Sequence, residues 1–146
     1  MGKHLVLVGG GHGHMTVMLN LQGYIQRGHQ VTLIGPSAHH YYSGMGPGLL
    51  GGTYRPQEVR FHVKKMVEDR GATFIRDIVT RIDADQKVLA LKSGREIAYG
   101  VVSCNTGSFV PADEAQVNGD RIFSVKPIEN LIKVRQILQA GLGTQT

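Results

Sequence analysis

The chain opens on an apolar run that breaks into glycine, Leu5-Val6-Leu7-Val8-Gly9-Gly10-Gly11-His12-Gly13-His14. A buried strand that turns sharply into a helix needs a residue without a Cβ at the turn, so Gly9 is placed there and Gly11 is expected to let backbone N–H groups approach a pyrophosphate. The helix that follows would aim the positive end of its dipole at the same phosphates. In the GxGxxG pattern a third glycine lets helix and strand pack closely, and that position holds His14. Context supplies what the loop lacks. A helical stretch from about residue 12 to 27, Gly28 in the C-cap place and Gln30-Val31-Thr32-Leu33-Ile34 as a second strand together predict an α/β domain with a Rossmann-like βαβ start.

Charge is distributed unevenly around that loop. Residues 1–57 contain no Asp or Glu but carry Lys3, Arg27, Arg55 and six of the seven histidines, and the whole chain has a net charge of +5. Such a segment suits an anionic ligand, because phosphate meets no repulsion from its own half of the domain. The chain has no continuous basic run and no aromatic and basic interleaving, which argues against a nucleic-acid partner. With 146 residues, a single domain spanning 1–146 is expected. No run reaches the roughly 18 to 20 apolar residues of a membrane span, and the apolar run before the glycines is too short for a signal peptide. These readings give a cytoplasmic location. The single Cys104 excludes an internal disulfide, a CxxC pair and a cysteine zinc site, and its neighbours Val101 and Val102 predict a small buried side chain on a strand.

Further along, Gly35 to Gly52 carries six glycines and two prolines and reads as a long functional loop, its tyrosines and leucines arguing against disorder. A helix is expected from about Pro56 to Arg70, ended by Gly71, with Lys64, Lys65, Glu68, Asp69 and Arg70 on a solvated face. Thr73 to Ile78 follows as a third strand. Alternation then takes over, predicting a small antiparallel β-meander at about 78–99 with turns at Asp83-Ala84-Asp85-Gln86 and Ser93-Gly94. Val101 to Asn105 would return to the main sheet and Ile122-Phe123-Ser124 would add a strand. A C-terminal helix at about 127–140 after Pro127 is expected to cover the sheet rather than to contact lipid.

Other chemistries find little support. His12 and His14, and the adjacent His39 and His40, invite a metal, yet this half has no carboxylate to complete a ligand set, so no metal site is assigned. Ser43 and Ser108 lack a GxSxG nucleophile elbow. No catalytic acid, base or nucleophile is assigned.

The order of parts resembles the N-terminal half of flavoproteins with two dinucleotide-binding domains: type II NADH dehydrogenases, sulfide:quinone oxidoreductases and pyridine nucleotide-disulfide oxidoreductases. The likeness is strongest to the NADH-dehydrogenase-like flavoproteins sometimes fused ahead of selenide, water dikinase. It rests on the Gly9–His14 loop, the segment Tyr42-Ser43-Gly44-Met45-Gly46-Pro47-Gly48-Leu49, and Asn105-Thr106-Gly107-Ser108 with Pro111 after it. The resemblance implies FAD as cofactor. Gly9, Gly10, Gly11, His12, Gly13 and His14 would line its pyrophosphate, and Ser43, Gly44, Met45 and Pro47 would lie toward the isoalloxazine. Val79 would meet adenine through its backbone, while Thr106 and Gly107 would lie beside the cofactor. NAD(P)H would be the electron donor in a complete protein, with a quinone or similar acceptor and peripheral membrane association available to it.

Two departures qualify that picture. The second strand ends Ile34-Gly35-Pro36, where the family pattern places an acid for the ribose 2′-OH, so Ser37 or a backbone group would substitute. The lack of acid also leaves room for a 2′-phosphate, and so for NADP(H). The chain also ends where the family's second glycine-rich unit would begin. The expectation is therefore a fold incomplete relative to the full two-domain arrangement: a fragment, or a piece completed by an NAD(P)H-binding half or second chain. The alternative is a non-catalytic module that binds FAD or NADP.

Overall fold

The computed structural model describes residues 2–108 and 122–142. The chain divides into two compact units, Met1–His40 with His62–Gly107, and Tyr41–Phe61 with Ser108–Thr146.

The first unit is built on a four-stranded parallel sheet. Strand β1 (His4–Val8) pairs with β2 (Gln30–Gly35) on one side and with β9 (Val101–Cys104) on the other, and β2 pairs with β5 (Thr73–Arg76), giving the order β5-β2-β1-β9. Strands covered on both faces read as continuous apolar runs, and the period of two assigns each side chain to a face. Leu7, Val31 and Leu33 pack with Met18, Leu21, Val63 and Val67 of the helical side. Val6, Val8 and Ile34 point the other way, onto Leu89 and Leu91. Those two leucines belong to an antiparallel meander of β6 (Val79–Asp83), β7 (Val88–Leu91) and β8 (Glu96–Ala98), which forms the second cover. The α/β class, the parallel sheet and the meander are as expected.

Local chemistry moved several boundaries. The helix expected over 12–27 is a 3-10 turn (His12–His14) followed by α1 (Met15–Leu19) and α2 (Leu21–Gln26). It is interrupted at Asn20, whose Nδ2 donates to the Thr16 carbonyl at 2.8 Å and competes with the backbone for it. Its end follows the sequence signal. Gly28 adopts φ +79° and donates to the Ile25 carbonyl at 2.9 Å, while the His29 N–H reaches back to Tyr24 at 3.1 Å, a complete Schellman closure. The helix expected from Pro56 begins seven residues later as α4 (Val63–Glu68), capped by His62 Nδ1, which accepts the Lys65 N–H at 3.1 Å. The residues before it are held in a turn in which the Arg55 N–H donates to the Glu58 carboxylate and the Glu58 N–H to the Arg55 carbonyl. On α4, Lys64 pairs with Glu68 and Lys65 with Asp69. The third strand ends at Arg76; the Asp77 N–H makes the last bond of the β2–β5 ladder, to the Gly35 carbonyl, before the chain enters β6.

The second unit holds the larger part of the segment read as a long loop, from Tyr41 onward. After the two-residue strand β3 (His40–Tyr41), paired with β4 (Arg60–Phe61), a 3-10 turn (Ser43–Met45) runs into α3 (Gly46–Gly51). Pro47 fits the first turn of that helix, where its missing N–H costs nothing, and Gly52 ends it in the left-handed region. Burial stabilises α3: Leu49 packs with Val59 and with Leu131 of α5 (Asn130–Leu142). Arg135 adds hydrogen bonds to the Leu49 and Tyr54 carbonyls at 3.3 and 3.1 Å. Ile122-Phe123-Ser124 forms no strand. Ile122 is 62% and Phe123 40% exposed, so the segment buries no face for a strand to exploit. Pro111 lies outside the described residues. No described helix is long and apolar enough to cross a membrane.

Candidate functional site

Gly9 leaves β1 at φ +86°, a conformation that disfavours any side chain. Its N–H donates to the Ile34 carbonyl of β2 at 2.8 Å. A Cβ there would lie 2.7 Å from the Thr106 Cα and collide with the Asn105 carbonyl. Gly9 therefore answers two demands at once, a left-handed turn and the close approach of the chain leaving β9. Gly10 is half-buried, and a Cβ there would meet Val63 at 3.1 Å. The Gly11 N–H donates to the Asn105 carbonyl at 3.1 Å. The space that Gly11 and Gly13 keep clear also has an occupant within the chain. A Cβ on Gly11 would strike Asn105 Oδ1, and one on Gly13 would strike Asn105 Nδ2. His12 and Gly13 form the exposed rim of the loop.

His14 explains how the loop does without its third glycine. The ring is 3% exposed, with Nδ1 2.7 Å from the Gly9 carbonyl and Nε2 3.0 Å from Ser103 Oγ. A carbonyl only accepts, so Nδ1 carries the proton and Nε2 accepts from the serine. Both ring nitrogens are thereby engaged inside the protein. The residue braces the loop against β9.

The other sequence-derived positions separate into two groups. In the first unit, Thr106 and Gly107 follow β9 in exposed backbone, Gly107 at φ +79°. Val79 starts β6, half-buried, opposite Leu91. Ser37 is half-buried and its Oγ accepts the His39 N–H at 3.2 Å. Beside it, Arg76 Nε donates to the Pro36 carbonyl at 3.2 Å, because the β2–β5 register sets Gly35 opposite Arg76. This cation stands near the end of the second strand, where the ribose acid is missing, and its distance of 40 residues from Pro36 hid it from sequence reading. Ser43, Gly44, Met45 and Pro47 all lie in the second unit. There Ser43, Gly44 and Pro47 are exposed, and Met45 packs partly against the Leu49 cluster.

Cys104 corrects another expectation: it is exposed, since it ends β9 at the strand's last position instead of sitting in the core. Asp77 lies where β5 gives way to β6. Hydrogen bonds from Ser93 and then from the Ile78 N–H hold its carboxyl below the usual carboxylate range. Among the described residues no group of three or more His, Cys, Asp or Glu could hold a metal ion. The rings of His39 and His62 meet edge-on with centroids 4.4 Å apart.

Topology gives Gly9 and Asn105 a common location. From β1 the chain steps to β2 and then β5 on one side, while β9 joins β1 on the other, so the strand order reverses between β1 and β9. Ligands of open parallel sheets bind outside the carboxyl ends of the strands at such a reversal. Gly9 follows β1 there and Asn105 follows β9.

Comparison with known proteins agrees with that fold. The chain is 28% identical over 129 residues to the mitochondrial sulfide:quinone oxidoreductase of Dictyostelium discoideum, covering 88% of this chain and 26% of that protein. The chain is similar to part of a sulfide:quinone oxidoreductase. The crystal structure of the sulfide:quinone oxidoreductase from Aquifex aeolicus superposes with a TM-score of 0.83 at 22% identity, over 99% of this chain and 33% of that one. NDH2 from Plasmodium falciparum in complex with NADH gives a TM-score of 0.73 at 18% identity, over 97% and 30%. This chain therefore spans about a quarter of the curated relatives and about a third of the solved structures. No protein-family model matches it.

Proposed function

We propose that the chain is the FAD-binding portion of a flavin-dependent NAD(P)H:acceptor oxidoreductase. The observation that carries this reading is the glycine loop at the β1–β9 reversal, in a chain aligned over most of its length with a sulfide:quinone oxidoreductase. The residues fit a dinucleotide. His12 and Gly13 form an accessible loop edge, Thr106 and Gly107 offer exposed backbone opposite it, and residues 1–57 bring no carboxylate to repel phosphate. At the end of β2, where the family pattern places a ribose acid, Ser37 supplies a hydroxyl, while the Arg76 guanidinium, a donor only, suits a phosphate. When bound, the flavin supplies hydride acceptance at N5 from a nicotinamide, while the protein binds and orients it. The nearer kinship to the group fused with selenide, water dikinase rests on the Gly9–His14 loop and the Tyr42–Leu49 segment. A cytoplasmic location belongs to the same proposal.

Titration with FAD tests it: the melting temperature of the protein rises and flavin fluorescence changes on binding. A colourless protein unaffected by FAD in both measurements rejects the assignment. The alternative is a dinucleotide-binding module without turnover of its own. Adding NADH to the FAD complex separates the two, since reduction of the flavin requires a nicotinamide site and a module without one leaves it oxidised.

A further inference from the structure

The carboxamide of Asn105 has an unusual place. It lies across the glycine loop with Oδ1 against Gly11 and Nδ2 against Gly13, in the volume those residues keep free of side chains. It is carried by the first residue beyond β9, at the strand-order reversal, and its own backbone carbonyl anchors the Gly11 N–H. Asn105 is half-buried, neither sealed in the core nor fully exposed. Its chemistry suits the position. A primary amide offers two N–H donors and no charge, where a carboxylate would repel an anion.

Resting on the dinucleotide reading above, we propose that Asn105 is a ligand-contacting residue of this site. Its Nδ2 donates to the pyrophosphate from the β9 side, opposite the Gly9–Gly13 backbone. The requirement for glycine at 11 and 13 is then shared between ligand and carboxamide: any side chain at either position would displace the amide before it met a phosphate.

The test uses the full chain with two probes, FAD and ADP, the second carrying the pyrophosphate without the flavin. Asn105→Ala weakens both by about tenfold, the loss of one hydrogen bond to a charged group. Asn105→Asp, matched in size, weakens both further near pH 8, and the deficit against wild type shrinks as pH falls and the new carboxyl takes up a proton. A role in packing alone would not produce that shared pH dependence. Melting temperatures of the unliganded variants separate folding losses from binding losses. In the wild-type chain, the Asn105 side-chain amide resonances shift on adding ADP. Wild-type affinity for both probes in Asn105→Ala and Asn105→Asp, or fixed Asn105 amide resonances while the loop backbone shifts, overturns the proposal and leaves the dinucleotide reading intact. Failure of the wild-type chain to bind either probe overturns both.

Discussion

At residue scale, His14 shows how one side chain can replace a missing feature of a motif. Its imidazole spans the Gly9 carbonyl and Ser103, so the loop is fastened to β9 by hydrogen bonds where a glycine would have relied on close backbone packing. His14→Ala is expected to cost about 2–4 kcal/mol, from two lost hydrogen bonds and the cavity left behind, as read by chemical denaturation. Asp77 acts through charge. Its carboxyl titrates low in the folded state because Ser93 and the Ile78 N–H stabilise the anion. A lowered folded value means the contribution is complete above the unfolded value and disappears as pH falls through the folded one, from about pH 4 downward. NMR titration should give Asp77 a midpoint below that of an unperturbed aspartate, and Asp77→Asn should remove its share of the acid sensitivity.

At the scale of elements, glycines that share a backbone conformation differ in what surrounds them. Gly28 and Gly9 both have positive φ, but a Cβ on Gly28 would enter open space while one on Gly9 would strike the chain leaving β9. Gly28→Ala should therefore cost about 1 kcal/mol, the conformational penalty alone, and Gly9→Ala about 2 kcal/mol or more. Equal losses of melting temperature would contradict the distinction. The same scale explains which elements could be read in advance. The β1 and β2 segments were legible as short apolar runs bounded by glycine, and the meander by its alternation. The start of α4, the break at Asn20 and the helix in the Gly-rich segment were not, since each depends on a side-chain hydrogen bond or a tertiary contact: His62 to Lys65, Asn20 to Thr16, Leu49 to Leu131.

Across the whole molecule, electrostatics favour an anion. A net charge of +5 with no acid before Glu58 should make dinucleotide binding weaken as ionic strength rises. Isothermal titration with FAD at low and at about 0.5 M salt checks this, well past the point where the screening length falls below 10 Å. Affinity independent of salt would assign recognition to neutral contacts.

Of the candidate site, the sequence by itself determined the glycine loop, the strand before it and the lack of a ribose acid, because those are local: they follow from φ, from the absence of a Cβ and from composition. Only the tertiary structure decided what lies opposite the loop. Asn105, Ser103 and Arg76 reach the ends of β1 and β2 through parallel pairings that join residues tens of positions apart. No periodicity records such a pairing, so the partner of Gly11, the buried seat of His14 and the cation beside Ser37 emerged only once the sheet was formed.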